Sequence, residues 1–259
     1  MSRPDISVLF PVRQGIANYP PDMLATVVEQ TVKQAGVHVE LCIVDNASRD
    51  GTWELLQELK ERDYPLILHR NFEDKGAAES LNIAASFASG RYFIFQSARS
   101  WYEPGALKEM VYVLDKHPGM GFVYGKTQYH GLNEYIYCPP MFDRTAFAQH
   151  FDSLFGYLYR REAYDRGCRY QWYIEREGQR IDLLDWDFAM QLIVDMGYTG
   201  LALTNQLVLH YHYSGAGQMT ELVHRYDSEL TAEFRKRWWN PSPRVRGEWR
   251  WPATMEGTY

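Results

Sequence analysis

The sequence predicts an α/β fold, a mostly parallel sheet flanked by helices. Two observations predict it: strand-like apolar runs and amphipathic helical stretches alternate four times before residue 120, and the runs are almost uncharged, as strands buried on both faces are. The first run, Ile6 to Phe10, is stopped by Pro11, and Pro20-Pro21-Asp22 opens an amphipathic helix from Met23 to Gln34. The second strand, Glu40 to Val44, ends on the polar turn from Asp45 to Thr52. Trp53, Leu55, Leu56 and Leu59 then recur at helical spacing within Thr52 to Arg62. Leu66 to Leu68 forms a short third strand leading to Arg70-Asn71, and an Ala- and Leu-rich helix from Gly76 to Ala88 is closed by Gly90.

The stretch from Tyr92 to Leu107, YFIFQSARSWYEPGAL, organises the rest. Its first four residues suit a doubly buried strand. The polar loop from Gln96 to Ser100 leads to Glu103-Pro104-Gly105, with the acid and proline placed as at a helix N-terminus, and a helix follows from Pro104 to Lys116. A polar loop at the carboxyl end of a central strand is where open α/β sheets bind ligands. No G-x-G-x-x-G or Walker motif occurs; Pro11-Val12-Arg13-Gln14-Gly15 holds one glycine. From Gly121 the alternation is less regular. Phe122 to Tyr129, Thr199 to Leu203 and Gln206 to Tyr213 read as extended, whereas Leu154 to Arg166 and Asp185 to Met196 read as helical.

The chain has 259 residues, enough for one large domain with a modest extension. Its apolar residues come in short runs, none near the ~20 that a spanning helix needs. The N-terminal sequence MSRPDISVLF lacks the pattern of a secretory signal, so a cytoplasmic location is expected. Cys42, Cys138 and Cys168 are widely spaced and odd in number, as buried thiols of a reducing compartment would be. A net charge of −6 argues against a protein that coats nucleic acid, while leaving room for a local basic patch.

Five segments, in order, resemble the family 2 inverting glycosyltransferases, which have the Rossmann-like GT-A fold. They are the opening strand with Pro11, VDNASRDGT from Val44, NFEDKGAAESLNIAA from Asn71, WYEPGAL from Trp101, and LDWDFAMQL from Leu184. The resemblance spans roughly residues 5 to 213, and it implies transfer of a sugar from a nucleotide donor to a hydroxyl acceptor. Pro11, Val12, Arg13, Asp45, Arg70, Lys75 and Asn82 would then contribute to donor binding. Asp45 can accept a hydrogen bond from a pyrimidine N3–H, whereas Asp50 suits a helix cap; a turn-shaping role for both is the plainer alternative. Arg70 and Lys75 would offset phosphate charge or face the base, or else lie solvated in loops.

By the same resemblance Asp185 is the general base that takes the acceptor's proton. Its place at a helix start predicts a lowered pKa, and it fits a simple N-cap equally; Asp187 is the weaker candidate. The family's usual Glu before this Asp is Leu184 here. Alignment on Trp101 to Pro104 puts Ser97 and Arg99, and next to them Ser100, where the family carries the Asp-x-Asp carboxylates that hold a divalent cation. Hydroxyls and a guanidinium do not supply the oxygen ligands that Mg²⁺ or Mn²⁺ prefers. No metal ligands are therefore assigned and no cofactor is certain. Arg99 either replaces the cation at the diphosphate, or the protein binds a nucleotide sugar or glycan without turnover. His210 and His212 fall where some relatives place a histidine against metal or diphosphate, and His212 is counted with the donor site.

The division expected is a GT-A domain over residues 1–215 and a helical, basic and aromatic extension over 216–259. Phe234 to Pro252 interleaves six Lys or Arg with four Trp. That composition suits a phosphate-rich partner, either a membrane with a lipid-linked acceptor or a single-stranded nucleic acid; packing of the Trp residues on the domain is the alternative. The donor expected is a UDP-sugar, the acceptor a glycan, lipid-linked or other hydroxyl, and the location cytoplasmic or peripheral to a membrane. A base-modifying glycosyltransferase acting on nucleic acid is a further alternative.

Overall fold

A computed structural model describes residues 3–19, 22–131, 134–137, 141–143, 156–171, 173–176, 179–182 and 184–213, together with Ala232 and Trp238. Chain order begins β1 (Ile6–Val12), α1 (Met23–Gln34), β2 (Val39–Asn46), α2 (Thr52–Glu61), β3 (Leu66–Asn71), α3 (Gly76–Phe87), β4 (Tyr92–Phe95), β5 (Ser100–Tyr102) and α4 (Ala106–Lys116). It continues with β6 (Met120–Gly131), β7 (Tyr135–Tyr137), β8 (Leu158–Arg160), α5 (Glu162–Asp165), β9 (Tyr173–Arg176), β10 (Gln179–Asp182), α6 (Leu184–Met190) and β11 (Thr199–Tyr213).

The main sheet runs β3-β2-β1-β4-β8-β6-β11-β5, with β7 added to β6; β9 and β10 make a separate two-stranded sheet. Pairs β1–β2, β1–β4 and β2–β3 are parallel, as the strand-then-helix repeat demands. Beyond β4 the sheet is mixed, because β8 is antiparallel to both β4 and β6. Alternation along the strands divides two cores. Ile6, Val8 and Phe10 of β1 pack with Leu24, Val28, Leu56 and Met110 on one face, while Leu9 packs with Leu81, Ala84, Phe188 and Trp186 on the other.

Three expectations are corrected. Pro11 does not stop β1, which runs on to Val12. The last partner of β1 on β4 is Leu9, so Pro11 has a neighbour on the β2 side alone and its missing N–H breaks no ladder. Within the stretch read as one helix from Leu154 to Arg166, residues 158–160 are strand β8 and only Glu162–Asp165 is helical. Leu158 enters one core and Tyr157 and Tyr159 the other, a period of two that fills the slot between β4 and β6. The helix expected to Met196 is α-helical only to Met190 and closes through a π-helical turn over Gln191–Asp195.

Cys42 and Cys168 are both buried, and burial pushes the Cys42 thiol well above its usual range. Cys138 and all of the basic and aromatic extension except Ala232 and Trp238 lie outside the described residues. Among the described residues no helix is long and apolar enough to cross a membrane.

Candidate functional site

The parallel strands β1, β2 and β3 end side by side, with Val12 level with Asp45 and Asp45 level with Arg70. The Asp45 side chain is fully buried. One oxygen, Oδ1, accepts from the Ser48 N–H at 3.1 Å, whereas Oδ2 lies 3.4 Å from Arg70 Nε in a geometry that makes no hydrogen bond. A buried carboxylate oxygen with an ion-pair neighbour but no donor has spare accepting capacity. Arg70 is held over the Trp53 ring at 5.5 Å and donates to the Ser48 carbonyl at 3.2 Å, so its guanidinium is fixed beside Asp45.

The N-terminal turn of α3 is tied to the same place. Asn46 Oδ1 accepts from Asn71 Nδ2 at 3.0 Å and from the Lys75 N–H at 2.9 Å, and Asn46 Nδ2 donates to Asp74 Oδ1 at 2.6 Å. The exposed Lys75 side chain therefore starts at a helix N-terminus, where the backbone adds to its positive charge. Arg13 pairs with Asp74 at 3.2 Å, and both line a cleft of about 370 Å³ with Gln14, Ala47, Arg49, Phe72 and Glu73. Asp50 accepts from the backbone N–H groups of Ile16 and Ala17 as well as from Thr52, so it pins the β1–α1 loop to the start of α2. Burial would raise its pKa, but these hydrogen bonds outweigh it and hold the carboxyl below its ordinary value.

The loop after β4 is built from inside. Buried Gln96 donates through Nε2 to Thr31 Oγ1 at 2.8 Å and to the Ser100 carbonyl at 2.9 Å; the Ser97 N–H donates to Ser100 Oγ at 3.0 Å. These bonds turn the chain tightly, so that Arg99 points outward with its guanidinium 5.0 Å over the Tyr211 ring. The Arg99 carbonyl accepts from the His212 N–H at 2.8 Å, which docks the loop on β11. Ser97, Arg99 and Ser100 give this loop two hydroxyls and a fixed cation. That donor set does not fit a divalent ion, and no group of three or more His, Cys, Asp or Glu among the described residues is arranged to hold one.

Asp185 is the second residue of α6. Desolvation pushes its carboxyl up to about 7, contrary to the lowering expected from its helix position. Its surroundings explain the sign. The charge of Asp185 is felt at Tyr102, Tyr157, Tyr170 and Tyr211, all held above the ordinary tyrosine value chiefly by burial. Tyr157 donates its hydroxyl to the Asp185 carbonyl at 3.2 Å. Asp187 faces the other way and is fully buried, accepting from Gln191 Nε2 at 2.9 Å and from Trp238 Nε1 at 3.1 Å. It braces the domain against Trp238, which is packed into the core rather than offered to a partner.

Asp45, Arg70 and the α3 terminus thus come together at the ends of β1 to β3, while Arg99 lies over Tyr211, whose hydroxyl feels the charges of both Arg99 and Asp185. Asn82, assigned to the donor from the resemblance, is engaged within the fold. It uses its amide on the Tyr170 backbone, donating to the carbonyl at 2.7 Å and accepting from the N–H at 3.0 Å. Along β11, His210 and His212 alternate with Tyr211, so their rings leave the strand on the face away from Arg99. There His210 stacks on Trp101 at 5.2 Å, and its Nε2 lies 2.5 Å from Glu103 Oε2. Its Nδ1 lies 2.9 Å from His130 Nε2, and burial followed by the neighbouring histidines lowers the His130 pKa. Sequence reasoning missed Tyr102 and Tyr211. Their common signal, a tyrosine next to a polar loop or one residue from a histidine, is too weak to stand alone in a chain with 19 tyrosines.

The Glycosyl transferase family 2 profile matches residues 7–168, and the chain belongs to that family. Among curated relatives it is 28% identical over 94 residues to UDP-Glc:alpha-D-GlcNAc-diphosphoundecaprenol beta-1,3-glucosyltransferase WfaP of Escherichia coli, covering 36% of this chain and 37% of that protein. It is 29% identical over 122 residues to the putative teichuronic acid biosynthesis glycosyltransferase TuaG of Bacillus subtilis, covering 46% of this chain and 48% of that protein. The matches thus span half or less of these relatives.

In structure the chain is similar to S. aureus TarS 1–349 in complex with UDP-GlcNAc, with a TM-score of 0.67 at 15% identity over 89% of this chain and 66% of that one. It is also similar to the mannosyltransferase PcManGT from Pyrobaculum calidifontis in complex with GDP-Man and Mn²⁺, with a TM-score of 0.65 at 18% identity over 93% and 66%. The fold is therefore of the GT-A glycosyltransferase type.

Proposed function

We propose that the chain is an inverting glycosyltransferase that moves a sugar from a nucleoside diphosphate donor, a UDP-sugar, to a hydroxyl acceptor, with Asp185 as general base. The observation that carries this reading is the placement of Asp185 at the start of α6 beside the buried Tyr157, where desolvation pushes its carboxyl up to about 7. A base poised near neutral pH takes a hydroxyl proton more effectively than an ordinary carboxylate. In the reaction the acceptor oxygen forms its bond to the anomeric carbon on one face while the bond to the diphosphate oxygen breaks on the other. The hydroxyl proton passes to Asp185, and the bonding electrons leave on the diphosphate.

Arg99 is assigned to that leaving group. A guanidinium makes two parallel hydrogen bonds to phosphate oxygens and stabilises charge as it develops, which a cation would otherwise do. Asp45 Oδ2 reads the base and Lys75 with the α3 N-terminus offsets the phosphates. The name of WfaP supports UDP as the carrier and a lipid diphosphate-linked glycan as the class of acceptor; the TarS and PcManGT complexes support a nucleotide sugar in this fold.

The test is nucleoside diphosphate release from a panel of UDP-, GDP- and dTDP-sugars, with EDTA and separately with Mn²⁺. Release from UDP-sugars in EDTA, lost in Arg99→Ala and Asp185→Asn, is the expected result. Release that requires Mn²⁺, or that survives Arg99→Ala unchanged, refutes the assignment of Arg99. Binding of UDP-sugars with neither release nor transfer to any glycan would instead fit a protein that holds its donor without turnover.

A further inference from the structure

The second half of the chain carries a row of aromatic side chains that runs outward from the donor site. Tyr211 lies under Arg99, and Tyr129, level with it on β6, meets its ring edge-on at a centroid distance of 5.7 Å. On β7, Tyr135 is level with Tyr129 and stacks on it at 4.6 Å with only 8° between the planes. The row Tyr211, Tyr129, Tyr135 therefore crosses three strands on one face of the sheet. It starts where Tyr211 feels both Arg99 and Asp185, and it ends on a ring that is 51% exposed. A tyrosine at the outer end of a β-hairpin gains nothing for the core by stacking outward in this way.

We infer that Tyr135, backed by Tyr129 and Tyr211, is a platform for a pyranose ring of the acceptor. The inference rests on the glycosyl-transfer reading above and gives its acceptor a class: a glycan with at least one sugar beyond the one that is glycosylated. Its chemistry matches both partners. A pyranose has an apolar face of C–H groups and a rim of hydroxyls, and a tyrosine offers an apolar ring face with a phenol at its tip. A flat, pre-stacked ring loses little freedom on binding. The row leads away from Asp185 and Arg99, so a sugar lying on Tyr135 trails from an acceptor hydroxyl directed toward the base. Single-stranded nucleic acid also stacks on aromatics, but it needs cations along the stacking row to track its phosphates, and Arg99 lies at the inner end of this row, away from Tyr135.

The probes are methyl α- and β-glycosides of glucose, N-acetylglucosamine, galactose and mannose, observed by saturation-transfer NMR with UDP present. At least one is expected to receive saturation at its ring C–H protons. That signal falls about five-fold or more in Tyr135→Ala, is kept in Tyr135→Phe, and is unchanged in Ile136→Ala, an equally exposed residue on the opposite face of β7. Donor hydrolysis is read on the same samples. Intact hydrolysis with no glycoside signal, or with a signal indifferent to Tyr135→Ala, overturns the platform and leaves the donor reading standing. A Tyr135-dependent signal in a protein that neither binds nor hydrolyses any nucleotide sugar overturns the transferase reading and keeps the platform as a glycan site. Tyr135-dependent binding of oligothymidine in place of every glycoside overturns the platform's assignment to sugars.

Discussion

Replacing Asp185 by Asn separates two consequences of one buried carboxyl. In the folded chain its pKa stands at about 7 against 3.8 for the ordinary group, so folding favours the protonated form. The stability that this gives is fully present below 3.8 and is lost as pH rises toward 7, because the folded protein resists an ionisation that the unfolded chain accepts. At ~1.4 kcal/mol per pH unit the whole shift sets an upper bound of about 4 kcal/mol above neutral pH. Asp185 keeps part of its surface exposed, and solvent there reduces this to about 2 kcal/mol.

Asn is neutral throughout and is spared that cost. Asp185→Asn is expected to raise the melting temperature relative to the native chain by about 2–4 °C more at pH 8 than at pH 4.5, where the unfolded carboxyl is already largely ionised. The same change is expected to lower transfer by about 10²- to 10⁴-fold, as removal of a general base does. Calorimetry of both proteins in matched buffers across this range is the assay. A melting difference that does not vary with pH, or a variant less stable than the native chain at pH 8, would refute the desolvation argument. The native transfer rate should itself rise with pH and level off above about 7, with an apparent pKa belonging to Asp185.

Asp45→Ala is expected to weaken UDP binding about ten-fold or more while leaving binding of inorganic pyrophosphate unchanged, measured by calorimetric titration; an equal loss for both would assign Asp45 to the fold rather than to the base. Gly90→Ala places a Cβ 2.5 Å from the Ser7 backbone nitrogen, which has no rotamer to yield, and is expected to cost about 2–3 kcal/mol in urea unfolding. Trp238→Phe keeps an aromatic ring but removes the donor to the buried Asp187 carboxylate; an expected loss of about 1.5–3 kcal/mol, also from urea unfolding, distinguishes a brace from a surface contact.

The sheet from β1 to β4 was legible because its signals are local: each strand is an apolar run bounded by polar turns, and the bounds of α1 match expectation to the residue. What failed depends on distant partners. Leu158 to Arg160 is a strand only because β4 and β6 leave a slot for it, and three residues carry too little pattern to say so. Ser100 to Tyr102 pairs with β11, more than a hundred residues on, for the same reason. At the site, Asp45 and Arg70 were legible from strand ends followed by polar residues. The elevated pKa of Asp185 was not, because the tyrosines that surround it come from Tyr102, Tyr157, Tyr170 and Tyr211, four separate parts of the chain.

The position of β8 also dictates the order in which the molecule can be completed. Emerging from the ribosome, β1 to β4 can pair as they appear, each closing a crossover of ordinary length. The next slot, beside β4, stays open while α4, β6 and β7 are made, since its occupant is Leu158–Arg160. Until then Phe93 and Ile94 present a bare strand edge, which is the kind of surface that recruits other chains. A nascent or truncated chain ending before residue 158 therefore exposes this edge of β4; synthesis past Arg160 joins β4 to β6, and only β11, complete at Tyr213, covers the other edge of β6.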